Sequence, residues 1–250
     1  MKLTDSERAE NLQAIANMSL LQKLGYVFEY YKFPLVLALI AAVALGSVLY
    51  YRIARKDALL YVAYANISVG DSLDYTLSEG FTRFVGVNPG KSEVKLYRGL
   101  YLSRDASVQN HEYAYASQLK VMAAMANGQL DVLLMNREAY DLMSSSGYLL
   151  PLSGLLDQNG SISVRIADYL AENVVILKDN DIEHLLDESI PYQAVTENVA
   201  NAILISPFAK FEQAGFSGDV YLGVVGNSAR LEAVLQYIDY LTSTSPSVPM

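Results

Sequence analysis

Residues 33–51 read FPLVLALIAAVALGSVLYY, nineteen residues without a charged side chain between Lys32 and Arg52. A helix rises 1.5 Å per residue, so this stretch would reach about 28 Å, close to the roughly 30 Å hydrocarbon core of a bilayer. Aromatic residues cluster at both of its ends, where transmembrane helices carry their interfacial anchors. The stretch therefore predicts a transmembrane helix over residues 33–51.

Two other interpretations of this stretch are open to test. A buried helix of a soluble domain seldom lacks every charge and rarely has aromatic residues at both ends. A cleavable signal peptide would fit the small residues of Ala42-Val43-Ala44. Such a signal has an apolar run of roughly 7–15 residues near the N-terminus. Here 32 residues precede a run of nineteen, which favours an uncleaved anchor.

The predicted span divides the chain into four parts: an N-terminal segment 1–32, the transmembrane helix 33–51, a juxtamembrane linker 52–58 and a domain 59–250. Four lysines and arginines precede the span and three follow it closely, so the positive-inside rule leaves the orientation undecided. In the first segment, Thr4-Asp5-Ser6-Glu7 fits a capping box and predicts a short helix before the membrane.

Charge and composition restrict the function of the domain. From position 57 onward there are 23 acidic and 11 basic residues, a net charge of −12. This balance excludes a nucleic-acid partner, which requires basic patches, and disfavours a domain lying flat on anionic lipid. The chain has no cysteine and two histidines without ligand partners at useful spacing. No nucleophile or phosphate-loop pattern occurs, so the sequence predicts no enzyme, no cofactor and no metal.

Hydrophobic patterns in the domain alternate between strand and helix. Strands are predicted at 59–67, 94–102 and 131–135, separated by helices over 73–84 and up to residue 127. This order predicts right-handed crossovers and an α/β domain with a mostly parallel sheet. Further strands are predicted at 174–177, 200–205 and 219–225, followed by a closing helix over 231–241. In the helix that ends near 127, five residues are predicted to face inward: Tyr115, Leu119, Met122, Ala123 and Ala126.

Two stretches of the domain carry a resemblance to a known family. Residues 120–156 read KVMAAMANGQLDVLLMNREAYDLMSSSGYLLPLSGLL, and residues 220–241 read VYLGVVGNSARLEAVLQYIDYL. They resemble bacterial extracellular solute-binding proteins of the type 2 periplasmic-binding kind. The matching positions are Gly128, Asp131, Val132, Gly147, Pro151, Leu152 and the turn Asn227-Ser228. The resemblance implies a cytoplasmic N-terminus and an extracytoplasmic C-terminal domain at the cell membrane.

The chain also departs from this family, whose members close two lobes of over 100 residues on a solute. Only 42 residues, 157–198, lie where the second lobe would be inserted, which predicts a reduced second lobe. The predicted span and the resemblance together imply a membrane-anchored protein, spanning once, that binds a small molecule or peptide without catalysis. The alternative is an interaction or accessory subunit of a membrane complex that uses a degenerate binding-protein fold.

A ligand site is expected at the carboxyl ends of the predicted parallel strands, where ligands bind in open α/β sheets. Polar side chains follow each of the first three strands. These candidate ligand-binding residues are Asn66, Ser68, Asp71 and Ser72 after the first strand, Ser103 and Arg104 after the second, and Asn136 and Arg137 after the third. Helix caps and ordinary loop residues are the alternative interpretation of all eight.

Overall fold

A computed structural model describes residues 19, 32–34, 36–47, 50, 56–104, 110–157, 159–187, 189–212, 214, 216 and 218–243. The chain divides into two units, residues 1–55 and residues 56–250, and each is described by itself. The helix predicted from the capping box at residues 4–7 lies outside the described residues.

In the first unit, positions 32–34, 36–47 and 50 have helical backbone. Their large apolar side chains are exposed, including Phe33 at 81% and Leu37 at 69%. Within the described part of the chain, no helix combines the length and apolar character needed to cross a bilayer.

The second unit contains one six-stranded mixed sheet in the order β2-β1-β3-β6-β5-β4. Its strands are β1 (Asp57–Ala65), β2 (Ser92–Leu100), β3 (Val132–Met135), β4 (Leu170–Asp179), β5 (Ala194–Leu204) and β6 (Tyr221–Val224). Strand β1 pairs in parallel with both β2 and β3. The pairs β3–β6, β6–β5 and β5–β4 are antiparallel.

The α/β class and the six strand positions predicted from the sequence are confirmed, while the prediction of a mostly parallel sheet holds only for β1 to β3. The β4–β5 pair is antiparallel because the segment between these two strands contains no helix that packs on a sheet face. Helix α7 (Asp181–Leu186), which connects β4 and β5, has no buried residue. The two strands therefore fold back on each other as an antiparallel hairpin.

Helices cover both faces of the sheet. The remaining helices are α1 (Asp71–Tyr75), continued by a π-helical turn (Thr76–Gly80) and by α2 (Phe81–Phe84), then α3 (His111–Ala126), α4 (Arg137–Ser145), α5 (Leu152–Leu156), α6 (Gly160–Ile166), α8 (Ala209–Glu212) and α9 (Leu231–Thr242). Successive strand residues point to opposite faces, so Leu60 and Val62 join one apolar cluster and Ala63 and Ala65 the other.

The prediction of which residues of α3 face inward is wrong. Tyr115, Leu119 and Met122 are exposed at 58%, 49% and 48%, and Ala123 and Ala126 are exposed as well. The helix instead buries the face that contains small side chains: Ala114, Ser117, Val121, Ala124 and Met125. Small residues let the helix approach the sheet closely. Apolar residues occur all around α3, so its sequence pattern did not identify one buried stripe.

Residues 157–198, where a reduced second lobe was expected, continue the same sheet. They form α6, a 3₁₀ turn (Ala167–Tyr169), β4, α7 and the first part of β5. Only Ala202, Ile203 and Leu204 of β5 pair with β6. The outer parts of β4 and β5 therefore pair only with each other among the described strands. We call residues 174–199, which include α7, the hairpin arm.

Candidate functional site

Asn66, the first candidate at the strand ends, holds the ends of β1 and β2 together. Its side-chain amide donates to the Leu102 carbonyl at 2.7 Å and accepts from the Leu102 N–H at 2.6 Å. It also lies 3.5 Å from a carboxylate oxygen of Glu138 in α4. Its φ of 57° is a left-handed conformation that asparagine tolerates better than most residues. The fold therefore uses both hydrogen-bonding ends of this amide.

The two candidates after β3 support helix α4. The Asn136 side chain accepts from the Ala139 N–H at 3.0 Å and caps the helix. The Arg137 guanidinium pairs with Asp141 at 2.8 Å and lies 5.8 Å from the centre of the Tyr221 ring. Both residues have structural partners, in agreement with the alternative interpretation from the sequence.

The other five candidates occupy separate places along the same edge. Ser68, Asp71 and Ser72 are exposed in the loop before α1 and in its first turn. Ser103 is buried, and its carbonyl accepts from the Gln118 side chain at 2.8 Å. Arg104 donates to the Ser145 hydroxyl. In the described part of the chain, these contacts connect loops and helices and do not enclose a ligand-sized space.

A buried carboxylate network lies at the opposite edge of the sheet and was not predicted as a site. Asp131 is fully buried and accepts from the Tyr61 N–H at 2.9 Å and from the Ser228 hydroxyl at 2.7 Å. The Arg230 guanidinium lies 3.4 Å from both carboxylate oxygens and donates to the Gly128 carbonyl at 3.0 Å. These contacts compensate the buried charge and join β1, β3 and the turn before α9.

The network connects the two stretches on which the family resemblance rests. Gly128 and Asp131 belong to residues 120–156, whereas Ser228 and Arg230 belong to residues 220–241. Asn227 adds a further contact, donating from its side chain to the Met125 carbonyl at 2.8 Å. The pattern Gly-x-x-Asp-Val was the available sequence signal, although it does not indicate the partner of the aspartate.

An open groove with a volume of about 630 Å³ runs along β2. One wall contains Ser78 and Glu79 of the π-helical turn and Thr82 of α2. The other side is the strand itself, residues 92–98, with Lys56 and Pro89 near its start. Strand β2 is at the end of the strand order, so its outer edge has no ladder partner among the described strands.

An ion pair and a buried tyrosine lie near the end of this groove. Arg98 donates to Asp74 through two hydrogen bonds of 2.8 Å and 2.6 Å. The Tyr64 hydroxyl is buried and forms no hydrogen bond of good geometry with the described residues. Burial, and next the charge of Asp74, raise the pKa of the Tyr64 hydroxyl far above its usual value. Tyr64 is therefore neutral at physiological pH.

The hairpin arm has an exposed apolar surface. In α7, Ile182, Leu185 and Leu186 are exposed at 75%, 72% and 83%. Five further large apolar side chains of the arm are also exposed: Val174, Leu177, Ile190, Tyr192 and Val195. Single exposed apolar residues are ordinary on protein surfaces, but a concentration of eight within 22 residues is typical of an interaction surface.

Comparisons with protein-family models, with curated proteins and with solved structures found no match to the chain.

Proposed function

We propose that the chain is a membrane-anchored accessory subunit whose α/β domain lies outside the cytoplasm and docks a partner protein through the hairpin arm. The observation that carries this proposal is the apolar face of α7, where Ile182, Leu185 and Leu186 are all exposed. Leu185 and Leu186 follow Ile182 by three and four positions, so the three side chains form one helical face. Nothing in the described chain covers this face.

Residues 33–51 support the proposed membrane anchor through their length and lack of charge. The described helical positions in this stretch expose large apolar side chains, such as Leu39 at 65% and Leu45 at 64%. Such a surface is suited to lipid. The proposed orientation, with the N-terminus in the cytoplasm, rests on the family resemblance.

The Asp131 network supports a fold related to the solute-binding proteins. The two resembling stretches are far apart in the sequence, and the hydrogen bond from Ser228 to Asp131 joins residues 97 positions apart. A resemblance that arose by chance in two separate segments would not require them to meet. Their contact is the expected result if both belong to one core architecture.

A docking role is favoured over the capture of a small solute. Two-lobed binding proteins enclose the solute between facing lobes, but the described part of residues 157–198 extends the single sheet. The candidate residues Asn66 and Asn136 at the strand ends form hydrogen bonds with backbone groups of the neighbouring loop and helix. The accessory role, given above as the alternative, is therefore the better supported of the two.

The charge of the arm indicates the chemistry of the partner. The sequence of the arm contains six acidic residues and one basic residue: Asp179, Asp181, Glu183, Asp187, Glu188 and Glu197 against Lys178. An acidic rim around an apolar surface is complementary to an apolar groove bordered by lysine and arginine. Repulsion between two acidic arms disfavours a second copy of this chain as the occupant.

The experiment compares the native mass of complexes extracted from cell membranes in mild detergent. The full chain is expected to form a complex with a different protein, and the triple variant Ile182→Ser, Leu185→Ser, Leu186→Ser is expected to lose it. Val164→Ser is the matched control, because Val164 is 82% exposed but lies outside the arm.

Three outcomes would contradict the proposal. The wild-type chain could run as a single 27.5 kDa protein plus detergent. Its complex could have a mass that is a multiple of the chain's own mass. Finally, the triple variant could retain the same complex as the wild type. Resistance of the chain to alkaline carbonate extraction is also expected, and its release into the aqueous fraction would overturn the proposed anchor.

A further inference from the structure

We infer that a cleft between helices α3 and α4 binds a small neutral aromatic molecule with one ring and one hydrogen-bond donor, such as a phenol. The cleft has a volume of about 120 Å³. It is lined by Leu102 after β2, by one side of α3, by the end of α4 and by Tyr148. We call it the α3–α4 cleft. None of the residues that line it belongs to the hairpin arm, so this inference goes beyond the proposed docking role.

The floor of the cleft is apolar and is part of the core. Leu102, Val121 and Met143 line it and are buried. Met122 and Ser146 line its mouth, and both are exposed. Among the described residues that line the cleft, none is charged. A neutral ligand is therefore favoured, because a charged group would lose its hydration there without gaining an opposite charge.

Hydrogen bonds from other loops hold the backbone of the cleft in place. The Asn66 side chain bonds both backbone groups of Leu102, accepting from the N–H at 2.6 Å and donating to the carbonyl at 2.7 Å. On α3, the Met125 carbonyl accepts from the Asn227 side chain at 2.8 Å. A site whose walls are fixed before binding loses less conformational entropy when the ligand enters.

The size of the cleft restricts the ligand to a single ring. Pockets for drug-sized ligands occupy roughly 300–1,000 Å³, whereas an apolar cavity of about 150 Å³ holds benzene. At about 120 Å³ the α3–α4 cleft is slightly smaller than that cavity, and its open mouth leaves room for a substituent on the ring. Such a ligand does not require two facing lobes, unlike the solutes of two-lobed binding proteins.

The methionines of the cleft favour an aromatic ring over an aliphatic one. Three of the protein's seven methionines line it: Met122, Met125 and Met143. Thioether sulfurs make favourable contacts with aromatic rings, and the unbranched side chain adjusts to the shape of a ligand. Tyr148 adds an aromatic side chain to the wall, and aromatic rings pack favourably on one another.

Gln118 provides the polar contact for the ligand. Its side-chain Nε2 donates to the Ser103 carbonyl at 2.8 Å, which fixes the orientation of the amide. The Oε1 atom is then the part of this amide that can accept a hydrogen bond from a ligand in the cleft. The ligand is therefore expected to carry a hydroxyl or N–H group on its ring.

The methionine methyl groups report binding directly. The full chain, labelled with ¹³C at its methionine methyl groups, is titrated with phenol in deuterated detergent micelles. The ring current of bound phenol is expected to shift the signals of Met122, Met125 and Met143 saturably. Met135 is the internal control, because it is buried in the same apolar cluster but does not line the cleft. Cyclohexanol, which has the hydroxyl but no aromatic ring, is expected to compete about two- to tenfold less well.

Ser146→Leu tests the location of the site. It places a larger apolar side chain at the exposed mouth and is expected to weaken phenol binding by about tenfold, because the ring then buries less surface. Ser153→Leu, at an exposed position of α5, is the matched control and is expected to leave phenol binding unchanged.

Gln118→Leu keeps the inference testable if Ser146→Leu fails to fold. The variant keeps an apolar wall but loses the amide oxygen, so phenol is expected to bind about two- to tenfold more weakly. Toluene has the same ring but no hydrogen-bond donor, and its affinity is expected to be unchanged.

Several results would overturn the inference. Phenol could shift no methionine signal saturably, or it could shift Met135 as strongly as Met122 and Met143. Cyclohexanol could compete as well as phenol, or Ser146→Leu could bind phenol as tightly as Ser153→Leu. The triple arm variant is expected to bind phenol like the wild type, so failure of the cleft and failure of the proposed docking role are distinguishable.

Discussion

The inner strands β1 and β3 and the hairpin arm contain similar apolar residues. The strands bury these side chains, whereas the arm exposes them. All four residues of β3 are fully buried, and both of its neighbours are strands of the sheet. In the arm, by contrast, Leu177 and Val195 are each 60% exposed. Apolar side chains stabilise the inner sheet because they leave water. In the arm they remain in water, and the docking proposed above would bury them.

The base of the arm is where the two regions are joined. Tyr140 of α4 donates from its hydroxyl to the Ala171 carbonyl of β4 and contacts the Asn201 side chain, both at 2.9 Å. Ser144 donates to the Val174 carbonyl at 3.1 Å. A two-stranded hairpin is marginally stable by itself, so these contacts to α4 determine how firmly the arm is held.

The largest expected effect on the polar contacts of the inner region is that of Asp131→Ala. This change leaves Arg230 without its carboxylate partner, and the Tyr61 N–H and the Ser228 hydroxyl without their acceptor. It is expected to lower the free energy of unfolding by about 3–5 kcal/mol. Urea denaturation of the full chain, followed by circular dichroism, measures the loss. The exposed Asp168→Ala serves as control, and equal stability of the two variants would contradict the role given to Asp131.

Tyr140→Phe tests the junction between the two regions. It removes the hydroxyl that contacts Ala171 and the fully buried Asn201, and is expected to cost about 1–3 kcal/mol. Hydrogen exchange should become faster at the base of β4 before it does so in β3. Tyr192→Phe is the matched control, since its hydroxyl donates to the exposed Asp179 in the arm. Unchanged exchange in Tyr140→Phe would show that the junction lies elsewhere.

Gly128→Ala tests the turn that ends α3 and leads to the Asp131 network. Its φ of 62° is in the left-handed region, where a side chain costs about 1–2 kcal/mol. The melting temperature should fall accordingly. Gly160→Ala is a suitable control because a new Cβ there meets no neighbour and the backbone is not left-handed. A melting temperature equal to that of the control would refute the conformational requirement at residue 128.

Leu185→Ser has the smallest expected effect on stability. Leu185 is 72% exposed, and exposed substitutions change stability by within about 0.5 kcal/mol. The matched change in the inner region is Leu134→Ser, at a fully buried position, which should destabilise the fold severely. If Leu185→Ser destabilised the protein as strongly as Leu134→Ser, the apolar face of α7 would be a structural contact and not a docking surface.

The elements of the domain could be predicted because their signals are local. The strand at 131–135 and the helix at 231–241 were expected from apolar spacing, and both are confirmed within a few residues. Asn66 and Asn136 follow β1 and β3, as the sequence predicted, but their partners could not be derived. Those partners, such as Leu102 and Glu138, approach only when the strands align.

The amino-acid sequence by itself determined the acidic character of the domain, the uncharged stretch 33–51, the α/β class and the parallel pairing of the first three strands. Only the tertiary structure decided which face of α3 is buried, the antiparallel pairing of β6, β5 and β4, and the contact between Asp131 and Ser228. The physical reason is distance along the chain. Periodicity and turn residues act over a few positions, whereas these features depend on contacts between segments up to about a hundred residues apart.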